Sequence, residues 1–457
     1  MYSIHAFLLQ KELFRSPEPV KTTVVSSFTD TPALQQIARQ ADLDYILFYT
    51  GTSPIELHPY AIGRMYQIAE SNDGALFYSD YQEIRQGKKI HHPTLEYQTG
   101  SIRNDFDFGQ LLLFRNDSFQ QVVAQMNTDY RFAALYELRL SISRLGKIVH
   151  IPETLYTVQP TDLRLSGEKQ FDYVDPANRE VQLEMEAVCT AHLQAIGAWL
   201  APEFQRIDFG QENFAREASV IIPVRNRKRT IAEAVESALQ QQTDFSFNVI
   251  VVDNHSTDGT GQILTELSRR YPNLIHHIPA STELGIGGCW TEAILLPECG
   301  KFAIQLDSDD LYKDCHVLQR IVDTFYQENC AMVIGSYQMV DFKLEEIPPG
   351  LIAHREWTPD NGRNNALRIN GLGAPRAFYT PVLRQIKFPN VSYGEDYATA
   401  LAISRKYPIA RIYDPLYLCR RWEENSDHDL DIQQLNNYNF YKDKIRTLEI
   451  QARISGK

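Results

Sequence analysis

In the second half of the chain, short apolar runs alternate with stretches of helical period. "ASVIIPV" (218–224) and "FNVIVVDN" (247–254) are apolar runs bounded by polar residues, and "LIHHIPA" and "KFAIQLD" follow from residues 274 and 301. Between them, "RTIAEAVESALQQQ", "TGQILTELSRRYP" and "GIGGCWTEAILL" return apolar residues every three or four positions. Apolar strands taking turns with amphipathic helices predict βαβ units, and so an α/β fold with a mostly parallel central sheet. In such sheets ligands bind beyond the carboxyl ends of the strands. Asp253, Asp307 and Asp309 all stand where a predicted strand stops. Asp310, beside them, reads as the cap of a helix in "LYKDCHVLQRIVDTF".

The first half repeats part of this pattern. "DYILFYTGTSP" from Asp44 aligns with "KFAIQLDSDDL" from Lys301, and "GALFYSDYQEI" from Gly74 with "AMVIGSYQMVD" from Ala331, both at an offset of 257. "LYELRLSISRLGKIVHIPETLYTV" from Leu135 aligns with "DYATALAISRKYPIARIYDPLYLC" from Asp396 at an offset of 261, and Gly109 falls near Gly373. Nearly constant offsets over so long a stretch predict an internal duplication. "TTVVSSF" near residue 25 is matched with "ASVIIPV", so a segment between the first strand and the acidic strand is missing from the first copy. Its aligned positions carry Thr50 and Thr52 against Asp307 and Asp309, and Ala134 and Leu135 against Glu395 and Asp396. The expected layout is a truncated, catalytically silent copy over 1–168, a helical connector over 169–214, the complete copy over 215–430 and a C-terminal helix over 431–457.

Composition narrows the function. A chain of 457 residues with 43% apolar content supports two or three cored domains, and a net charge of −13 argues against a nucleic-acid partner. The six cysteines form no metal-ligand spacing and read as free thiols of a reducing compartment. No apolar run approaches the length of about 18 residues that a membrane helix needs, and "MYSIHAFLLQKELF" makes a poor signal peptide. These features predict a cytoplasmic protein; peripheral attachment at the inner face of the membrane through a partner stays open.

Taken together, "ASVIIPVRNRKRT", "VIVVDNHSTDGT", "LDSDDL" and "YGEDYATALAIS" resemble, in order and spacing, the inverting family 2 glycosyltransferases of the GT-A fold. The resemblance spans about 217–430, and the first half is similar to the later part of the same fold. It implies a metal-dependent enzyme moving a sugar from a nucleotide-diphospho-sugar to an acceptor hydroxyl, in surface glycan or glycoconjugate synthesis. By this resemblance Pro223, Arg225 and Asn226 lie against the nucleotide base. Arg225 replaces the usual aromatic, and a guanidinium also stacks. Asp253 accepts the imide N–H of uracil, which makes the expected donor UDP-linked. Gly285 belongs to a glycine-rich turn, in which Trp290 and Thr291 replace the usual Arg and Asn. Asp307 and Ser308 lie toward the ribose, and Asp309 binds Mn²⁺ or Mg²⁺, hard cations that favour oxygen ligands. His428, several residues late for the family's metal histidine, is a further candidate ligand.

The "GED" stretch supplies the remaining chemistry. Inverting transfer needs a base facing the anomeric carbon, and the resemblance makes Asp396 that base with Glu395 binding the acceptor. Gly373 lines the sugar, Arg420 or Arg421 neutralises phosphate, and Trp422 stacks on an acceptor sugar. The expected partners are the donor and a saccharide, lipid-linked or protein acceptor, with the first domain packing, dimerising or holding the acceptor. Two other classes compete. A sugar nucleotidyltransferase shares the layout but opens on a glycine-rich loop that "IIPVRNRKR" lacks. A non-catalytic glycan- or partner-binding scaffold leaves the four aspartates without a role.

Overall fold

The computed structural model describes residues 2–159, 178–210, 213–422 and 431–456. Its contacts divide the chain into two units: 1–199 with 367–369 and 430–457, and 200–366 with 370–429.

The first unit opens with strands β1 (Ile4–Leu8), β2 (Phe14–Arg15) and β3 (Lys21–Val24), then helix α1 (Thr31–Gln40). Next come β4 (Tyr45–Tyr49), β5 (Ile55–Leu57), α2 (Ala61–Glu70), β6 (Gly74–Arg85), β7 (Lys88–His92) and β8 (Leu111–Arg115). Helices α3 (Asn116–Val123) and α4 (Ala134–Leu145), strand β9 (Lys147–Val158) and helix α5 (Arg179–Ala195) follow. The strands order β2-β5-β9-β6-β8-β4-β1-β3, with β7 on β6. Side chains alternate between the faces. Ile46 and Phe48 of β4 join Leu34, Phe119 and Leu138 in one core. Tyr45, Leu47 and Tyr49 join Ile62 and Met65 in the other.

The second unit runs β10 (Ala218–Val224), α6 (Ile231–Leu239), β11 (Phe247–Asp253), α7 (Thr260–Arg270), β12 (Leu274–His277), α8 (Ile286–Leu295) and β13 (Phe302–Gln305). It continues with β14 (Leu311–Tyr312), α9 (Val317–Glu328), β15 (Met332–Val340), β16 (Glu346–Ile352), α10 (Gly362–Asn365) and β17 (Arg376–Tyr379). Helices α11 (Thr380–Ile386) and α12 (Glu395–Ser404) and strand β18 (Ile409–Arg420) complete it. The order is β12-β11-β10-β13-β17-β15-β18-β14, with β16 on β15. Strands β10 to β13 are parallel neighbours, and β17 joins β13 antiparallel. Ile221, Ile222, Val249 and Val251 are fully buried, as expected of parallel strands covered on both faces. The last helix of the chain, α13 (Ile432–Ile454), and α5 both fall in the first unit.

Read from opposite ends, the two sheets share the order β5-β9-β6-β8-β4-β1-β3 and β14-β18-β15-β17-β13-β10-β11. The strand senses agree at every shared junction: β6 with β9 and β15 with β18 are parallel, and β4 with β8 and β13 with β17 are antiparallel. Even the register shifts recur, near Ser79–Tyr81 and near Ile334–Tyr337. This order corrects one sequence alignment. The counterpart of "ASVIIPV" is β1, "IHAFL", which pairs with β4 as β10 pairs with β13. "TTVVSSF" contains β3, the counterpart of β11. The second unit alone has the run α6, α7 and β12.

Two local expectations also change. Residues 311–316 are not helical, and α9 starts at Val317 with His316 at its N-cap. Asp310 therefore caps no helix; it accepts the Arg420 N–H at 2.8 Å and ties the loop to the end of β18. Ser53, its counterpart, donates to the Gln159 carbonyl at 3.4 Å, the matching place beyond β9. Among the described residues, no helix is long and apolar enough to cross a membrane.

Candidate active site

The site gathers at the ends of β10, β11, β13 and β18 and at the start of α12. Strand β10 carries partly buried Pro223 and leads to exposed Arg225 and Asn226. Asn226 has φ +54°. Its Oδ1 accepts the Thr257 N–H at 2.8 Å and its own N–H donates to Ser256 Oγ at 2.9 Å. Ser256 N–H donates to Asp253 Oδ1 at 2.9 Å, and His276 Nε2 lies 3.2 Å from Oδ2. Burial works against the Asp253 charge, but the bonds from His276 and Ser256 outweigh it and hold this carboxyl below its ordinary range. Asp253 is only 2% exposed. The Asp258 carboxylate accepts the Lys228 and Thr260 N–H groups, which fastens this loop to the start of α7.

The acidic loop after β13 is the most heavily braced part. Gln305 Nε2 donates to both Asp307 oxygens at 2.9 and 3.0 Å, and Asp307 N–H donates to Tyr417 Oη at 2.9 Å. Ser308 is buried, and its carbonyl accepts the Thr230 hydroxyl at 2.9 Å. Asp309 Oδ2 accepts the Trp422 indole N–H at 3.1 Å, with Arg227 Nε at 3.7 Å. Burial, with Asp309 adding repulsion, raises the Asp307 carboxyl above its ordinary value against the pull of Gln305 and Arg376. Burial and both neighbouring aspartates hold Asp310 well above it.

Residues expected to meet phosphate or an acceptor take more structural posts. The Arg420 side chain is 1% exposed; it donates to the Asp309 carbonyl and to Glu233 and braces the acidic loop. The Arg421 N–H donates to the Val340 carbonyl at 2.9 Å, just beyond β18. Trp422, besides its bond to Asp309, lies edge-on to Phe342 at 5.3 Å and is covered by Arg227 and Arg229. Gly285 and Gly287 make close approaches, but to protein. A Cβ at Gly285 would lie 2.6 Å from the Val391 backbone, and one at Gly287 2.0 Å from the Pro389 carbonyl. Trp290 is buried against Phe378 and Phe388. Gly373 has φ +96° and sits over His354. His428 lies outside the described residues.

Helix α12 starts after Gly394, whose φ of +80° favours glycine. Asp396 Oδ1 accepts the Tyr397 N–H at 2.7 Å, and Oδ2 accepts from Arg376 Nη1. Arg376 was not singled out by the sequence; a lone arginine in "GAPRAFY" belongs to no motif. Burial opposes its charge, and Asp396, Asp307 and Glu395 more than restore it. Glu395 Oε2 is buried without a hydrogen-bond partner. Burial and the Asp396 charge raise its carboxyl to about 8. An acid raised in the folded state binds more protons there than when unfolded. Its contribution to stability is therefore present below about 4.5 and declines as pH rises toward about 8. Glu395→Gln is expected to flatten this decline in melts of the full chain between those pH values. A slope identical to wild type would contradict the burial of Glu395.

The oxygen-rich donor set of Asp307 and Asp309 suits a hard divalent cation, which fills most positions with phosphate and water. Among the described residues, no cluster of three or more His, Cys, Asp or Glu forms a closed protein cage. A cation held by one or two carboxylates plus substrate fits these residues.

Residues 219–386 match the family described as Glycosyl transferase family 2. The second unit thus contains the segment that matches a family 2 glycosyltransferase domain, apart from residues 367–369. Among relatives, an uncharacterised glycosyltransferase of Nostoc is 32% identical over 27% of this chain and 37% of its own length. A poly(ribitol-phosphate) β-glucosyltransferase of Bacillus spizizenii is 24% identical over 49% of this chain and 35% of its own length. The chain thus spans little more than a third of these two proteins. The putative teichuronic acid biosynthesis glycosyltransferase TuaG of Bacillus subtilis is 26% identical over 42% of this chain and 74% of its own length. Among solved structures, S. aureus TarS 1-349 in complex with UDP-GlcNAc is 23% identical, with a TM-score of 0.40 over 52% of this chain and 72% of that one.

Proposed function

We propose that the second unit is an inverting glycosyltransferase that moves a sugar from a nucleotide-diphospho-sugar, UDP-linked, to an acceptor hydroxyl in cell-surface glycan synthesis. The observation that carries this reading is the meeting of two distant acidic motifs at one guanidinium. Arg376 bonds Asp396 at the start of α12 and has Asp307 of the strand-end loop among the charges that face it.

The transfer assigns each carboxylate a task. Asp396 takes the proton of the acceptor hydroxyl as its oxygen bonds to the anomeric carbon. The bond from that carbon to the donor phosphate breaks with inversion, and the nucleoside diphosphate leaves. Asp309 would hold a divalent cation, which when bound offsets the charge growing on the diphosphate. Glu395, neutral at its raised value, binds an acceptor hydroxyl. Asp253 and the loop of Pro223, Arg225 and Asn226 hold the uridine.

The first unit is a catalytically silent relative of this fold. Threonines 50 and 52 stand at the places of Asp307 and Asp309, and Leu112 stands in β8 where Arg376 stands in β17. At the start of α4, the counterpart of α12, the Glu184 carboxylate accepts the Arg131, Phe132 and Ala133 N–H groups. Its own chain thus fills that helix end.

Thermal shift checks the metal assignment. UDP with Mn²⁺ should raise the melting temperature more than either alone, and Asp309→Asn should lose the Mn²⁺-dependent increment. An undiminished increment in that variant would remove Asp309 from the metal site, and no stabilisation by UDP, GDP or their sugars would remove the donor class.

A further inference from the structure

We propose that Arg376 is a positioning residue for the transfer: its side chain fixes the Asp396 carboxylate, while its backbone is locked through Gln305 to Asp307. The proposal rests on Asp396 being the base.

The network is continuous. Arg376 opens β17, beside the end of β13. Its backbone N–H donates to Gln305 Oε1 at 3.1 Å. The same Gln305 amide turns its Nε2 to both Asp307 oxygens. Gln305 is 6% exposed, so the amide is sealed in one orientation with acceptor and donor both used. From the other side, Arg376 Nη1 donates to Asp396 Oδ2, and the Tyr397 N–H holds Oδ1. Asp396 is thereby gripped from both oxygens, by a strand residue and by its own helix. One chain of bonds runs from Asp307 through Gln305 and the Arg376 backbone and side chain to Asp396.

This arrangement has two chemical consequences. A base works only within a narrow window of distance and angle from the proton that it takes. The planar guanidinium sets that orientation better than a flexible ammonium would. Asp396 also shares the helix start with Glu395, and two adjacent carboxyls cannot both ionise freely. Charged groups facing Asp396 include Arg376 from β17, Glu395 from its own helix and, beyond Arg376, Asp307 from the acidic loop. Arg376 is the cation that decides which carboxyl keeps its charge: Asp396 ionised for proton abstraction, Glu395 neutral beside it. Leu112 at the matching place in the silent unit removes this function together with its carboxylates.

The test uses the full chain with Mn²⁺ and follows UDP release from UDP-glucose and UDP-N-acetylglucosamine, with water as acceptor where no saccharide serves. UDP affinity is measured in parallel by calorimetry. Arg376→Gln should lower kcat about 100-fold, the scale of a misplaced base, with UDP affinity changed less than about threefold. Its acid limb of kcat against pH should move up by about one unit, because Asp396 without the guanidinium's charge ionises later. Arg376→Lys should restore the limb but only part of kcat. Gln305→Leu, which leaves the guanidinium in place, should lower kcat without moving the limb, and it serves if Arg376→Gln melts early. An Arg376→Gln profile lowered at every pH with the limb unmoved, or a rate within threefold of wild type, overturns the proposal. Loss of rate in Asp396→Asn beside a neutral Arg376→Gln overturns the positioning role alone. Full activity in Asp396→Asn overturns the base assignment beneath it.

Discussion

Asp396→Asn is expected to lower turnover by about 10³-fold while leaving UDP binding within a few-fold of wild type. The amide keeps the shape of the carboxylate, and its single oxygen can still accept one of the two bonds that the carboxylate accepts, from Arg376 or from the Tyr397 N–H. What it loses is the negative charge, and with it the basicity needed for the proposed removal of the acceptor proton. The effect therefore falls on kcat rather than on donor affinity, the signature of an interaction made in the transition state. Initial rates of UDP release with calorimetric UDP affinity decide it. A variant within tenfold of wild type would mean that another group is the base.

The second large effect lies in the first unit. Asp443 of α13 is 1% exposed and holds three partners: Arg103 Nε at 3.2 Å, Arg446 Nη1 at 2.8 Å and Ser101 Oγ at 3.0 Å. Thr447 supports the same contact by accepting the Gly100 N–H at 2.9 Å. Asp443→Ala leaves two buried guanidinium groups without their shared carboxylate. Breaking a buried pair from one side costs about 3–5 kcal/mol. Thermal unfolding should show an early transition of the first unit. Asp443→Asn should be milder, because its carbonyl can still accept. A melting profile unchanged by Asp443→Ala would mean that α13 is not held by this network.

The alternation of apolar runs and helical stretches was enough to read the α/β fold of the second unit, because fully buried parallel strands leave an unmistakable pattern. The stretches of the first half that align with the second, at β4, β6, α4 and β9, carry the same kind of pattern, and their strands hold matching places in the sheet order. The error at "TTVVSSF" has a physical source. Two short neighbouring strands, β1 and β3, look alike as apolar runs, and only pairing with β4 tells which is central. The carboxylates of the candidate site were picked out by the order and spacing of four motifs taken together, since aspartate alone is common where strands turn. Arg376 and Gln305 were not, since a positioning role depends on which strands are neighbours. Gly285 and Gly287 illustrate the opposite failure: small residues signal a close approach but not what approaches, and here it is the segment 389–391. Arg420 was read in the sequence as a cation for phosphate, not as a buried strut bonded to Glu233.

The central claim is that the chain holds one nucleotide-sugar site, in the second unit, and that the first unit keeps the scaffold without the chemistry. Calorimetric titration of the full chain with UDP in the presence of Mn²⁺ tests it most directly. The account predicts one UDP bound per chain, binding lost in Asp309→Asn and unchanged in a Thr50→Ala/Thr52→Ala variant. Two UDP bound per chain, or binding that survives Asp309→Asn and disappears with the threonines, would contradict it.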